Sequence, residues 1–221
     1  MTKKKKIVIG VLIGVSSALA LAVLIPFSIL GIRSSSINTK YAYLKDDATY
    51  NAKAEVTGVE LVAQHISCGY ATIEMMSAFY GNKITEDELS EKNKGAISTA
   101  SSDGFFKELK KSIPDQKFVK HSYLNNDVLL KEINIALHDN KPVALEWAAK
   151  YQNEWTLHFS LITSIDIGND NVTIYNPYGY IENISVKEFV SRANFSAYKN
   201  MPLFLNFGFA FGAFEKNTIF Y

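Results

Sequence analysis

Gln64-His-Ile-Ser-Cys-Gly-Tyr-Ala-Thr-Ile-Glu-Met-Met-Ser-Ala-Phe-Tyr80 holds the only cysteine of the 221-residue chain, where an apolar helical period begins. Ser67 suits an N-cap, and Ala71, Met75, Ala78 and Phe79 recur at helical spacing, which places Cys68 in the first turn. Unpartnered N–H groups and the positive end of the helix dipole favour an anion there, drawing a thiol pKa of about 8.5 toward neutrality. A single cysteine makes no intrachain disulfide, no Cys-x-x-Cys redox pair and no thiolate zinc site. The sulfur is then either inert packing, common for a buried cysteine, or a nucleophile. The rest of the chain decides between them.

Upstream, Lys3 to Lys6 precede an apolar run from Ile7 to Ile32, relieved only by glycines, Ser16, Ser17, Ser28 and Pro26 and closed by Arg33. As a helix the run extends about 39 Å, enough to cross a hydrocarbon core of about 30 Å with tilt. Residues 1–33 therefore read as a retained signal anchor with residues 7–32 in the membrane. The lysines stay cytoplasmic and everything after Arg33 lies outside. The alternative is a cleaved signal peptide that releases a secreted domain, although such apolar regions usually span about 7–15 residues. Residues 34–56 show no sustained period and read as a tether, leaving 57–221 as one domain. Taking Lys3 to Lys6 from the 23 basic residues leaves 19 against 22 acids, a net −3 that gives no basic surface for nucleic acid.

Downstream of Cys68, Gly81 suits a left-handed helix end, and Thr85-Glu-Asp-Glu88 has the form of a capping box for a short helix toward Lys92. A loop from Gly95 to Gly104 follows. Phe105, Phe106, Leu109 and Ile113 mark a further helix stopped by Pro114, and Asn126 caps a third helix with Leu129, Leu130, Ile133, Ala136 and Leu137 on its apolar face. From Pro142 the period changes. Val143–Trp147, Thr156–Asp166 and Asn171–Tyr175 are strand segments, the last two joined by a turn at Gly168-Asn-Asp170. Ser185-Val-Lys-Glu188 is a second capping box, and the aromatic, glycine-rich Leu203–Phe214 reads as a late buried strand. Helices first and a mainly antiparallel sheet second give an α+β domain preceded by one transmembrane helix.

A nucleophilic thiol needs a base, and the base needs an orienting partner on its far nitrogen. Of the four histidines, His158 stands early in a strand whose hairpin partner brings Asn176 back to its level. Cysteine at a helix start, histidine on a strand, and Asn-Pro ending the next strand follow the order and roles of Cys–His–Asn hydrolases. Cys68-Gly-Tyr-Ala, Lys141-Pro-Val-Ala, His158-Phe-Ser-Leu-Ile-Thr with Asp166, and Val172-Thr-Ile-Tyr-Asn-Pro-Tyr-Gly together resemble papain-like cysteine peptidases of the C39 and C39-like group, over about residues 60–180. The resemblance implies Cys68 as nucleophile, His158 as general base and acid, and Asn176 as orienter. Gln64 would be the side-chain oxyanion donor. Gln64 lies four residues before Cys68 where the family spacing is five or six, Tyr70 stands where Pro is common, and Asn176 where many relatives have Asp.

The expected function is thus a membrane-anchored, extracytoplasmic cysteine peptidase acting on a peptide or protein substrate. The same residues would serve an amine-accepting acyltransferase. A non-catalytic extracytoplasmic peptide-binding or sensor module using the aromatic loops around Trp147, Tyr151, Trp155 and Tyr178–Tyr180 is the reading from another class, and a structural membrane protein with an aromatic tail is the third. No histidine–carboxylate spacing reproduces a metal motif and no glycine-rich phosphate loop follows a strand, so neither metal nor organic cofactor is expected.

Overall fold

The computed structural model describes residues 3–221, with side chains from residue 14 onward. The side chains of Lys3 to Lys6, on which the expected orientation of an anchor rests, lie outside the described residues. Helix α1 (Lys3–Ser35) contains Pro26, and from Gly14 to Ser35 it is long and apolar enough to cross a membrane, with none of that stretch buried against the protein. Next come strand β1 (Ala54–Glu55), helices α2 (Cys68–Phe79), α3 (Glu86–Lys92) and α4 (Ser102–Ser112), strand β2 (Lys120–His121) and helix α5 (Asn126–His138). The second half contains strands β3 (Val143–Tyr151), β4 (Glu154–Asp166), β5 (Asn171–Asn176) and β6 (Tyr180–Ile184), helices α6 (Val186–Ala193) and α7 (Leu203–Ala210), and strand β7 (Thr218–Phe220).

The strands form one antiparallel sheet in the order β2-β7-β3-β4-β5-β6. β1 pairs with Ser164 and Ile165 of β4, beyond the point where β3 stops. Alternation along β3 divides the core. Leu145, Trp147 and Ala149 face a cluster with Leu129, Leu130 and Ile133 of α5 and Phe189 and Val190 of α6. On the other face, Ala144 joins Phe159, Leu161 and Phe220 against Tyr70, Ile73 and Met76 of α2 and Phe105 and Leu109 of α4. The sheet is covered on both sides, and the α+β order expected from the sequence is the one observed.

Several local expectations change. Leu203–Phe214 is not a strand: its first eight residues form α7, and the late strand is β7, closer to the C-terminus. With Gly208 and Gly212 punctuating it, the run has a period of three to four rather than two, so Leu205 and Phe209 face inward together. Asn125, not Asn126, is the N-cap of α5, and α4 starts at Ser102, inside the expected loop. The Ser185 box is half made: Ser185 accepts from the Glu188 N–H, while the Glu188 carboxylate turns to Arg192. Residues 34–56, expected to be a tether, run along the domain. Leu44, Ala54 and Val56 are buried in the α5 and α6 cluster, and burial of a large aliphatic side chain contributes about 1.5–3 kcal/mol. Three anchors spread over thirteen residues make no period, which is why the sequence shows none.

Candidate active site

Cys68 opens α2 as its spacing requires. Ser67 is extended, at φ −155° and ψ 145°, and its Oγ accepts the Tyr70 N–H at 3.1 Å. Gly69 is needed beside the cysteine, because a Cβ there would stand 2.3 Å from Thr99 Oγ1 and 2.4 Å from Thr99 Cβ. The segment leading into the helix is held by Glu86, a fully buried carboxylate in the first turn of α3. It accepts the backbone N–H groups of His65 at 2.7 Å, Ile66 at 3.3 Å and Ser67 at 3.1 Å. The His65 ring meets Glu86 through Nδ1, at 2.5 Å, and Asp87 through Nε2, at 3.0 Å.

The sheet supplies the other half. The pairing of β4 with β5 sets Leu161 opposite Tyr175, with a bulge between Ile162 and Ser164. His158 and Asn176 therefore lie on one face, two positions out of step, close enough for their side chains to meet. His158 Nε2 and Asn176 Oδ1 are 2.9 Å apart, with both residues essentially excluded from solvent. Asn176 Nδ2 donates to Glu182 Oε1 at 2.6 Å, and Arg192 clasps Glu182 through Nη1 and Nη2 at 2.6 and 3.2 Å. Because a carboxylate only accepts, the amide nitrogen faces Glu182 and the amide oxygen faces His158. Nε2 then carries the hydrogen and donates it, which leaves a lone pair on Nδ1.

Tyr178 closes this arrangement. Its ring stacks on His158 with centroids 4.0 Å apart and planes 19° apart, its N–H donates to Asn176 Oδ1 at 2.9 Å, and its hydroxyl meets Thr156 Oγ1 at 2.8 Å. Cys68 and the histidine strand meet at the His158–Phe159 peptide: the Phe159 N–H lies near enough to the Cys68 sulfur to favour its thiolate. Gln64 is fastened to the same corner, its N–H donating to the Pro177 carbonyl at 2.7 Å, while its buried side-chain Oε1 has no protein partner. Of the four residues expected from the sequence, His158 and Asn176 meet through their side chains, whereas Gln64 and Cys68 approach these strands through the backbone at Pro177 and Phe159. His65 lies nearby but faces α3, His121 stacks near Tyr221, and His138 ends α5.

Electrostatics depart from the sequence expectation. The Cys68 thiol is pushed up to about 11 rather than drawn toward neutrality. Burial is the main cause, and it outweighs the favourable backbone N–H groups of Phe159, Gly69 and Cys68 itself; the buried Glu146 carboxyl adds a smaller upward push. Burial likewise holds the His158 imidazole down at about 3, helped by Arg192 and opposed by the Asn176 bond. Glu146, on the α2 face of β3, is raised to about 8 by burial, against hydrogen bonds from Ser102 Oγ and the Glu215 N–H. At neutral pH these values make the resting pair a thiol and a neutral imidazole.

Glu86 and Glu182 were not singled out as site residues by the sequence, and Tyr178 only as part of the aromatic loops of the peptide-binding reading. Only Tyr178 carried a signal, as the aromatic two residues after Asn176; the two glutamates act through contacts across 20 and six residues that no local spacing marks.

A helix-borne cysteine packed on an antiparallel sheet, with helices before strands, defines the papain-like cysteine peptidase fold. The chain belongs to the Peptidase_C39 like family, which it matches over residues 56–202. Among solved structures it is similar to the peptidase domain of Streptococcus ComA, a bi-functional ABC transporter involved in a quorum sensing pathway. The identity is 17% and the TM-score 0.47, over 74% of this chain and 97% of that one. It is also similar to a double glycine motif protease from an AMS/PCAT transporter in complex with the leader peptide, at 15% identity and a TM-score of 0.43, over 62% of this chain and 89% of that one. No curated protein matches the chain.

Proposed function

We propose that the chain is a membrane-anchored cysteine peptidase whose domain, which follows α1, works outside the cell membrane on a peptide or protein substrate. The single observation that carries this reading is the hydrogen bond from His158 Nε2 to Asn176 Oδ1, made beside the peptide that touches the Cys68 sulfur. Family membership supports a peptidase, and the apolar length of α1 with Lys3 to Lys6 at its N-terminal end supports the anchor and its orientation.

The chemistry follows from a neutral pair. As Cys68 Sγ attacks the substrate carbonyl carbon, His158 Nδ1 takes the thiol proton, so neither buried charge stands alone. Negative charge that collects on the carbonyl oxygen is met by the Cys68 N–H and the Gln64 side-chain amide. His158 delivers the proton to the leaving nitrogen, the C–N bond breaks and a thioester remains. Water then attacks the thioester as His158 takes its proton; the acid product leaves and the proton returns to sulfur. Asn176, held by Glu182, keeps the imidazole in the tautomer this sequence of transfers requires.

The test uses the full chain in detergent with a peptide library read by mass spectrometry. Wild type should yield cleaved products, and Cys68→Ala and His158→Ala should yield none while keeping the wild-type melting temperature within a few degrees. Undiminished cleavage by Cys68→Ala would falsify the assignment.

A further inference from the structure

Helix α7 is apolar except for Asn206, and no charge occurs between Lys199 and Glu215. A helix of that kind needs apolar surroundings on both sides. One side has them: Phe209 packs with Ala148 and Phe195, and Leu205 is buried. The other does not. Leu203 is 76% exposed, Phe204 70% and Phe211 64%, and Phe207 lies in the same stripe at 39%. Phe204, Phe207 and Phe211 follow the i, i+3, i+7 spacing of a single helix face.

The stripe also has a definite place. Phe207 meets Phe27 of α1 edge to face, with centroids 5.5 Å apart, and Pro26, Ile29, Leu30 and Arg33 line a groove with residues 209–212. From Lys6 to Phe27 a straight helix rises about 32 Å, close to the thickness of a hydrocarbon core of about 30 Å. Counted from Lys6, the contact with α7 thus falls in the outer part of the apolar run. Arg33 lies one to two turns farther on, with its guanidinium 5.4 Å from the centre of the Tyr123 ring.

We propose that α7 lies in the outer membrane–water boundary, burying Leu203, Phe204, Phe207 and Phe211 among lipid tails. The domain is then docked flat on the bilayer as well as anchored to it. This rests on the anchor reading above and extends the apolar surface of α1 sideways onto the catalytic domain. Lipid is the occupant because the stripe is continuous with the lipid-facing helix, at the depth where interfacial helices insert.

Full-length chain carrying Cys68→Ala and a single new cysteine, at Phe204→Cys, Phe211→Cys or Leu21→Cys, is labelled with an environment-sensitive fluorophore. Each is reconstituted in phosphatidylcholine–phosphatidylglycerol vesicles. A lipid spin-labelled near its headgroup should remove at least half of the emission at positions 204 and 211, and aqueous iodide should remove little. Free quenching by iodide at these two positions overturns the proposal. Protection from both quenchers overturns it too, placing a second copy or another protein on the stripe. Position 21 separates the two readings: without quenching by a lipid labelled deep in its tail, the anchor itself fails, whereas deep quenching at 21 with iodide access at 204 and 211 refutes only the docking of α7.

Discussion

Asn176 gives its amide hydrogen to Glu182 over 2.6 Å, and this bond fixes which end of the amide His158 meets. An asparagine amide is nearly symmetric in shape, so only its partners decide its orientation. Glu182, itself clasped by Arg192, removes the choice.

Glu182→Gln should therefore lower turnover by about 10- to 100-fold, the scale on which orienting partners act, because a glutamine can face either end of Asn176. Asn176→Asp in the same chain moves the negative charge one residue along the relay and leaves two equivalent acceptors for His158. Turnover on a peptide substrate should recover in this double variant. No recovery, with both proteins folded, would sink the orienting role.

Alkylation of Cys68 by iodoacetamide should be slow at pH 7 and keep accelerating with pH toward about 11. A free thiol, with a pKa of about 8.5, levels off earlier. Fast alkylation that stays flat into the acid range would instead reveal a preformed thiolate–imidazolium pair.

Stability should fall with acid through His158. Its native pKa of about 3 lies below the ordinary 6.5, so between these values the unfolded chain binds more protons than the native one. The loss runs as pH drops from 6.5 toward 3, at up to about 1.4 kcal/mol per pH unit. His158→Gln should flatten this part of the curve in urea unfolding at pH 7 and pH 5; an unchanged slope would place the acid sensitivity elsewhere.

Glu146 acts in the other direction. Its carboxyl is raised from 4.5 to about 8, so the native state binds more protons in that window and stability is lost as pH rises through it. Glu146→Gln keeps an acceptor for Ser102 and cannot ionise. It should melt above wild type at pH 8.5 and level with it near pH 4.5. A variant that melts below wild type at pH 8.5 would mean that the charged form is the stabilising one.

Glu86→Gln keeps an acceptor but weakens three hydrogen bonds at once, since bonds to a charged acceptor are about twice as strong as neutral ones. Amide exchange at residues 65–67 should quicken and turnover should fall, while the melting temperature changes less than the exchange. Unaltered exchange at these amides would show that the loop holds its shape without the carboxylate.

The helix at Cys68, the capping box at Thr85 and the hairpin around Gly168 were legible because each rests on neighbours within four or five residues. The pairing of His158 with Asn176 was legible through chain order, since the hairpin register converts sequence distance into proximity. What escaped depends on burial. The thiol pKa was misjudged because the helix terminus is visible in sequence, whereas the enclosure by Phe159 and its neighbours is not. The late strand falls elsewhere because aromatic residues suit strands and apolar helices alike, and only the packing of α7 on α1 distinguishes them. Glu86 and Glu182 look like surface acids until α3 and β6 turn them inward.

The bond from the Gln64 amide to the Pro177 carbonyl joins the helical half of the domain to the sheet at the reacting corner. Separation of the two halves at this corner would break it, so one backbone amide proton is a clock for such an opening. Its exchange rate would count openings in the resting protein and slow when a peptide holds the halves together. Substrates could then be found by their effect on a single hydrogen, before any of them is cut.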